Sequence, residues 1–222
     1  MTLWIKICGN TSLADAQLAA DAGADAVGFV FAPSPRRVTP AQVAFIVPHL
    51  PTALEKIGVF VDASFAEIAS TVDSCSLTGV QLHFAAPTEL PAQLRERFGP
   101  ALRILGMVHF DAATGQRTTA ISRDENFDAL LVDSRTSAAA GGTGQAYDWA
   151  AAWRSIFGVH GQTRFVAAGG LTPDNVAEAI AVLRPWGLDV VSGVEAAPGR
   201  KDPWKVRAFI ERARAARWPL AP

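Results

Sequence analysis

Two hundred and twenty-two residues, half of them hydrophobic and 18% charged, suffice for one compact domain with a sizeable buried core. A formal net charge of −1 gives no long-range attraction to nucleic acid or to an anionic membrane surface, and no apolar stretch reaches the length of a span. Two cysteines, Cys8 and Cys75, make neither a disulfide framework nor a zinc site, and the N-terminus lacks a signal-type apolar region, so a reducing cytoplasm is the expected setting.

Along the chain, apolar runs of strand length recur roughly every 25 residues, each followed by an amphipathic helical pattern. The candidate strands are Leu3–Cys8, Ala26–Phe31, Lys56–Val61, Gly79–His83, Arg103–His109, Ala129–Asp133, Arg164–Ala168 and Asp189–Gly193. They are continuous in hydrophobicity and not alternating, as expected of parallel strands covered on both faces. Helical patterns occupy Ser12–Ala22, Pro40–Val47, Phe65–Ser74, Glu89–Phe98, Tyr147–Phe157, Pro173–Leu183 and Pro203–Ala216. Thr39-Pro40, Thr172-Pro173 and Asp202-Pro203 each pair an N-cap residue with a proline at the first helical position. The polar stretch Asp111–Glu125 reads as a short helix or a loop. The expectation is a single (β/α)8 TIM barrel over 1–222. An open doubly wound sheet is the alternative, but no GxGxxG turn follows a strand.

In such barrels the chemistry sits at the C-terminal ends of the strands. Gly169-Gly170 follow the seventh strand, Ser192-Gly193 the eighth, and Gly141-Gly142-Thr143-Gly144 the sixth. Glycine turns let backbone amides approach an anion, and the loops after strands seven and eight are the usual phosphate site. The other reading is tight turns with no ligand, which three such turns on one rim disfavour. Cys8 ends the first strand and is either a small buried hydrophobe or a base or nucleophile, with Lys6 two residues earlier on the same face to favour its thiolate. Asp133 ends the sixth strand behind an apolar run, which suits a general acid; a cap or an ion pair with Arg135 is the competing reading. Arg36, in the proline-bounded loop after the second strand, is placed to hold a carboxylate or is a surface arginine, as Arg37 is expected to be. His83 ends the fourth strand and His109 the fifth, and both suit the wall of a pocket.

Together these segments resemble the phosphoribosylanthranilate isomerase family of tryptophan biosynthesis. The resemblance rests on Lys6-Ile7-Cys8-Gly9-Asn10-Thr11, Ser34-Pro35-Arg36, Gly58-Val59-Phe60, Gly79-Val80-Gln81-Leu82-His83, Val132-Asp133-Ser134 and Gly141-Gly142-Thr143-Gly144 with Asp148-Trp149. It continues through Ala168-Gly169-Gly170-Leu171, Ser192-Gly193-Val194-Glu195 and Gly199-Arg200-Lys201-Asp202, in family order and over nearly the whole chain. It implies a cofactor-free Amadori rearrangement of a phosphorylated small molecule, with no nucleic acid or membrane partner. Carried over by position, Asp133 is the acid, Cys8 the base and Arg36 the carboxylate clamp. His83 would line the pocket; Gly142, Thr143, Gly144, Gly169, Gly170, Ser192 and Gly193 would line the phosphate site. Phe84 departs from the family's usual glycine. A phosphosugar aldolase or indole-glycerol-phosphate synthase would need a strand-end lysine, for which only Lys6 stands near. A silent metabolite-binding barrel would not need Cys8, Asp133 and Arg36 together. With no apolar stripe calling for a partner, a monomer is expected.

Overall fold

The computed structural model describes residues 3–83, 89–111, 116–117, 125–135, 148–158 and 163–216. Eight parallel strands run β1 Trp4–Ile7, β2 Ala26–Val30, β3 Glu55–Val61, β4 Gly79–His83, β5 Arg103–Asp111, β6 Ala129–Arg135, β7 Phe165–Ala167 and β8 Gly187–Val190. Each pairs with the next, and β8 pairs back onto β1 with Lys6 opposite Asp189, so the sheet closes. The barrel expectation holds.

Between the strands lie helices α1 Leu13–Asp21, α2 Pro40–Ile46, α3 Phe65–Cys75, α4 Leu90–Phe98, α5 Trp149–Ala152, α6 Val176–Leu183 and α7 Pro203–Ala215. Side-chain caps set most of their starts: Thr39 and Ser64 form capping boxes with Gln42 and Glu67, and the Asp202 carboxylate accepts from the amides of Trp204 and Lys205. Thr172-Pro173 behaves differently. Helix α6 begins only at Val176, because Asn175 first closes a turn, accepting from the Thr172 amide at 2.8 Å and donating to the Gly170 carbonyl at 2.9 Å.

Two other expectations shift. Strand β8 starts at Gly187 and ends at Val190, and Ser192–Val194 is a 3-10 turn, not strand. Gly187 is a strand residue here because a Cβ would sit 2.9 Å from both the Trp4 ring and its carbonyl oxygen. Within the polar stretch after β5, Gln116–Arg117 pairs antiparallel with Phe110 and Asp111, so its described part is strand and not helix.

Two apolar layers hold the barrel. Inside it, Trp4, Ala26, Ile57, Leu105, Leu131 and Val166 pack together, and Trp186 stacks on Trp4 at 5.3 Å to stopper the N-terminal end. The Arg103 guanidinium lies over both rings and forks onto Glu55 with two 2.6 Å hydrogen bonds. Outside, strands and helices share a larger cluster that includes Phe29, Ile104, Ile180 and Phe209.

Candidate active site

Above the aromatic stopper the barrel interior turns polar. Lys6 on β1 is fully buried, and its ammonium crosses the lumen to the Gln81 carbonyl oxygen on β4 at 2.7 Å and the Asp189 carboxylate on β8 at 2.9 Å. Cys8 stands one layer higher, just past the end of β1, with its amide donating to the Val190 carbonyl at 2.9 Å. Gly28 on β2 makes room for both: a Cβ there would lie 2.5 Å from the Cys8 sulfur and 2.9 Å from Lys6 Cε.

This arrangement corrects the electrostatics expected of Cys8. Burial dominates and pushes its thiol above the ordinary cysteine value; the Lys6 ammonium pulls it back, and Asp189 pushes it up again. Lys6 is the better satisfied partner. Burial opposes its charge, but Asp189 and Cys8 outweigh that and raise it above the ordinary lysine value. The resting site therefore holds Cys8 as a thiol over a charged, paired lysine.

Asp133 shares the inward face of β6 with the core residue Leu131 and is partly exposed; the strand runs two residues past it, to Arg135, and does not end at Asp133 as expected. Strands β7 and β8 separate it from β1, so Asp133 and Cys8 face each other across the opening. His109 on β5 is its register partner, and the His83 ring stands 6.1 Å from that of His109, so the two histidines form one wall.

Arg36 departs most from expectation. Its guanidinium is not free: Nε and Nη2 donate to the two oxygens of Glu195 at 2.8 and 2.7 Å, and Glu195 is almost wholly buried. The arginine stem lies over Gly9, where a Cβ would meet Arg36 Cδ at 2.8 Å. Burial raises the Glu195 carboxyl, but the Arg36 hydrogen bond and the Lys201 charge overcome it and hold it below the usual carboxylate value. Arg37 is exposed, as expected.

Two glycine turns meet beside these groups. Gly169 and Gly170 both take positive φ, +80° and +66°, and a side chain at Gly193 would overlap the Leu171 carbonyl oxygen. Ser192 opens the short turn that carries Gly193. The amides available to an anion are therefore those of two touching turns, with the α6 N-terminus further along. Gly142, Thr143, Gly144 and Phe84 lie outside the described residues. A cleft of about 510 Å³ between α2 and α3, lined in part by Phe31, Phe60 and Ser70, lies outside the barrel and contains none of these groups.

Gln81, Asp189, Gly28 and Asn175 escaped the sequence reading, as did the roles of Glu195 and Lys201. Opposite charges inside two apolar strands, Lys6 and Asp189, were the available signal. Lys201 stands near the same strand end, its ammonium donating to the Cys8 main-chain carbonyl at 2.6 Å.

The model of the family described as N-(5'phosphoribosyl)anthranilate (PRA) isomerase matches residues 5–212. The N-(5'-phosphoribosyl)anthranilate isomerase of Pelobacter propionicus is 44% identical over 214 residues, 96% of each chain. Phosphoribosyl anthranilate isomerase from Thermotoga maritima superposes with a TM-score of 0.80 at 35% identity, covering 96% of this chain and 100% of that one. A phosphoribosyl anthranilate isomerase crystallised with reduced 1-(o-carboxyphenylamino)-1-deoxyribulose 5-phosphate gives 0.75 at 32% identity, covering 96% and 100%. Extent of match and identity agree, and the chain belongs to the N-(5'-phosphoribosyl)anthranilate isomerase family.

Proposed function

We propose that this isomerase converts N-(5-phosphoribosyl)anthranilate to 1-(2-carboxyphenylamino)-1-deoxyribulose 5-phosphate in tryptophan biosynthesis, with Asp133 as acid and Cys8 as base. The observation that carries the reading is the placement of Cys8 and Asp133 on opposite sides of one mouth, with the two glycine turns between them. The phosphate would rest on the amides of Gly169, Gly170, Ser192 and Gly193, joined by Gly142, Thr143 and Gly144. His83 would wall the sugar.

Asp133 protonates the ribose ring oxygen, the C1–O bond breaks, and the nitrogen lone pair forms the protonated Schiff base. The Asp133 carboxylate so formed takes up the proton that the Cys8 thiol releases, the Cys8 thiolate removes the C2 proton and becomes a thiol again, and the C2–H electrons pass into the enolamine, whose 2-hydroxyl proton is exchanged for one at C1 as the ketone forms. Atoms balance without a co-reactant. Burial disfavours the free thiolate, but the iminium brings positive charge to the mouth and acidifies C2–H when the base is needed. Glu195 takes one edge of Arg36 and leaves the other N–H groups to meet the anthranilate carboxylate.

One chain supplies all these groups, which supports a monomer as the working unit. Among the described residues, no helix is long and apolar enough to cross a membrane, and the chemistry suits the cytoplasm. Purified protein should consume the substrate with loss of anthranilate-type fluorescence, and the gene should restore growth to a tryptophan auxotroph lacking this step. Failure of both assays with folded protein sinks the assignment.

A further inference from the structure

The hairpin that follows the turn after β8 returns to the mouth from outside the barrel. Its strands, Glu195–Ala197 and Arg200–Lys201, pair antiparallel. The Lys201 side chain has no solvent exposure. Its ammonium has three protons and three acceptors: the Cys8 carbonyl at 2.6 Å, the Val191 carbonyl at 3.3 Å and Glu195 Oε1 at 3.3 Å. Glu195 Oε1 also accepts from the Gly199 amide at 3.2 Å and from Arg36 Nε at 2.8 Å. Thr11, in the loop after Cys8, donates to the Gly199 carbonyl at 2.6 Å. One buried cation thus touches the main chain of Cys8 and the main chain just before Ser192, and reaches Arg36 through one carboxylate.

A lysine whose only task was to neutralise Glu195 would not need two backbone carbonyls from separate strand ends. Those carbonyls belong to the two segments whose spacing must match the substrate. Val191 leads into the phosphate turn, and Cys8 carries the base. Arg36 and Lys201 against Glu195 leave one positive charge in a chain whose net charge is −1, and a substrate with a carboxylate and a phosphate needs such a local surplus.

We propose that Lys201, acting through Glu195 and the two carbonyls, is a positioning residue for the isomerisation, setting the spacing of base, phosphate turn and carboxylate clamp. The proposal rests on the reading of Cys8 and Arg36 given above. Lys201 touches no substrate atom. It fixes the groups that do, and its charge also lowers the energy of the Cys8 thiolate.

Lys201→Met fills a similar volume and takes the ammonium away from the two carbonyls and from Glu195, which keeps only Arg36 and the Gly199 amide. The expected result is a folded enzyme whose KM for phosphoribosylanthranilate rises about tenfold or more and whose kcat falls by a similar factor. In a Cys75→Ala background, iodoacetamide should alkylate Cys8 with a pH profile moved to higher pH. A merely structural lysine would lower the melting temperature without moving that profile. Combining Lys201→Met with Arg36→Met should cost much less than the product of the single effects, because one network is lost twice. Should Lys201→Met fail to fold, Lys201→Gln, which keeps a donor near the carbonyls but carries no charge, gives the same test of the alkylation profile. Wild-type kcat, KM and alkylation profile in a folded variant overturn the proposal alone, provided Cys8→Ser is impaired. Unimpaired Cys8→Ser overturns the reading of the site, and the proposal with it.

Discussion

Replacing Asp189 with asparagine tests whether the lumen of the barrel holds a true ion pair. Asparagine keeps the shape and one acceptor for Lys6 but removes the charge that balances a fully buried ammonium. Breaking a buried pair costs about 3–5 kcal/mol, and the retained acceptor argues for the lower end, about 3 kcal/mol. The loss also has a ceiling. Lys6 can shed its proton, which from an ordinary value near 10.5 costs about 4.8 kcal/mol at pH 7. For a chain of this size each kcal/mol moves the melting temperature by about 2–4 °C, so Asp189→Asn should melt about 6–12 °C lower at pH 7.

The pH dependence separates this account from a simple packing defect. In the parent protein Lys6 is raised, so the pair stabilises fully below the ordinary lysine value and fades only above it. In the variant burial, the largest influence on Lys6, has lost its main opponent and depresses Lys6. The unfolded chain then binds more protons than the folded one, and stability rises with pH. Differential scanning calorimetry from pH 7 to 9.5 should show the deficit narrowing. Lys6→Met combined with Asp189→Leu should recover most of the loss. A single variant melting within about 2 °C of the parent, or a deficit constant with pH, would refute the reasoning.

Cys8→Ser and Asp133→Asn should each lower kcat by at least about 10², and near-normal single-turnover rates in either would remove that residue from the chemistry. Because Glu195 is depressed, its stabilising contribution is complete above the ordinary carboxylate value and is lost as pH falls through its own. Acid titration followed by circular dichroism should therefore show Glu195→Gln losing less stability than the parent between pH 5 and 3. Gly193→Ala drives a methyl into the Leu171 carbonyl and parts the two glycine turns. It should raise KM by about tenfold or more with a smaller change in kcat, whereas an unchanged KM would place the phosphate elsewhere.

Strand order was legible because burial on both faces writes continuous apolar runs, with Lys6-Ile7-Cys8 and Val132-Asp133 at the ends of two of them, although β5 and β6 run on to Asp111 and Arg135, two residues past the expected ends. The β8 boundary was not. Gly187 reads as a breaker, and its use against Trp4 depends on a ring that the sequence places 183 residues away. Position along a strand also predicted which residues would gather at the mouth, but not what they would touch there. Arg36 was expected to hold a carboxylate, but its carboxylate within the protein, Glu195, lies 159 residues further on and could not be named. Lys6 was read against Cys8 because they are neighbours, whereas Asp189 is the larger influence on its charge. Local pattern reports which face a side chain takes; the identity of its partner is set by closure of the barrel.

Closure also sets the order in which the site can come into being. Lys6 and Cys8 are synthesised some 180 residues before the carboxylate that balances the one and the ammonium that holds the other, which arrive with Asp189 and Lys201. Until the segment from β8 to Lys201 has docked, the lumen contains an unpaired cation, and β1 has a bare edge where β8 belongs. Ordering the early strands before their partner exists is thus unfavourable, and long sequence separations of this kind slow folding. The environment of the proposed base is consequently assembled by β8 and the hairpin after it, and a nascent chain still lacking β8 carries Cys8 but not the site.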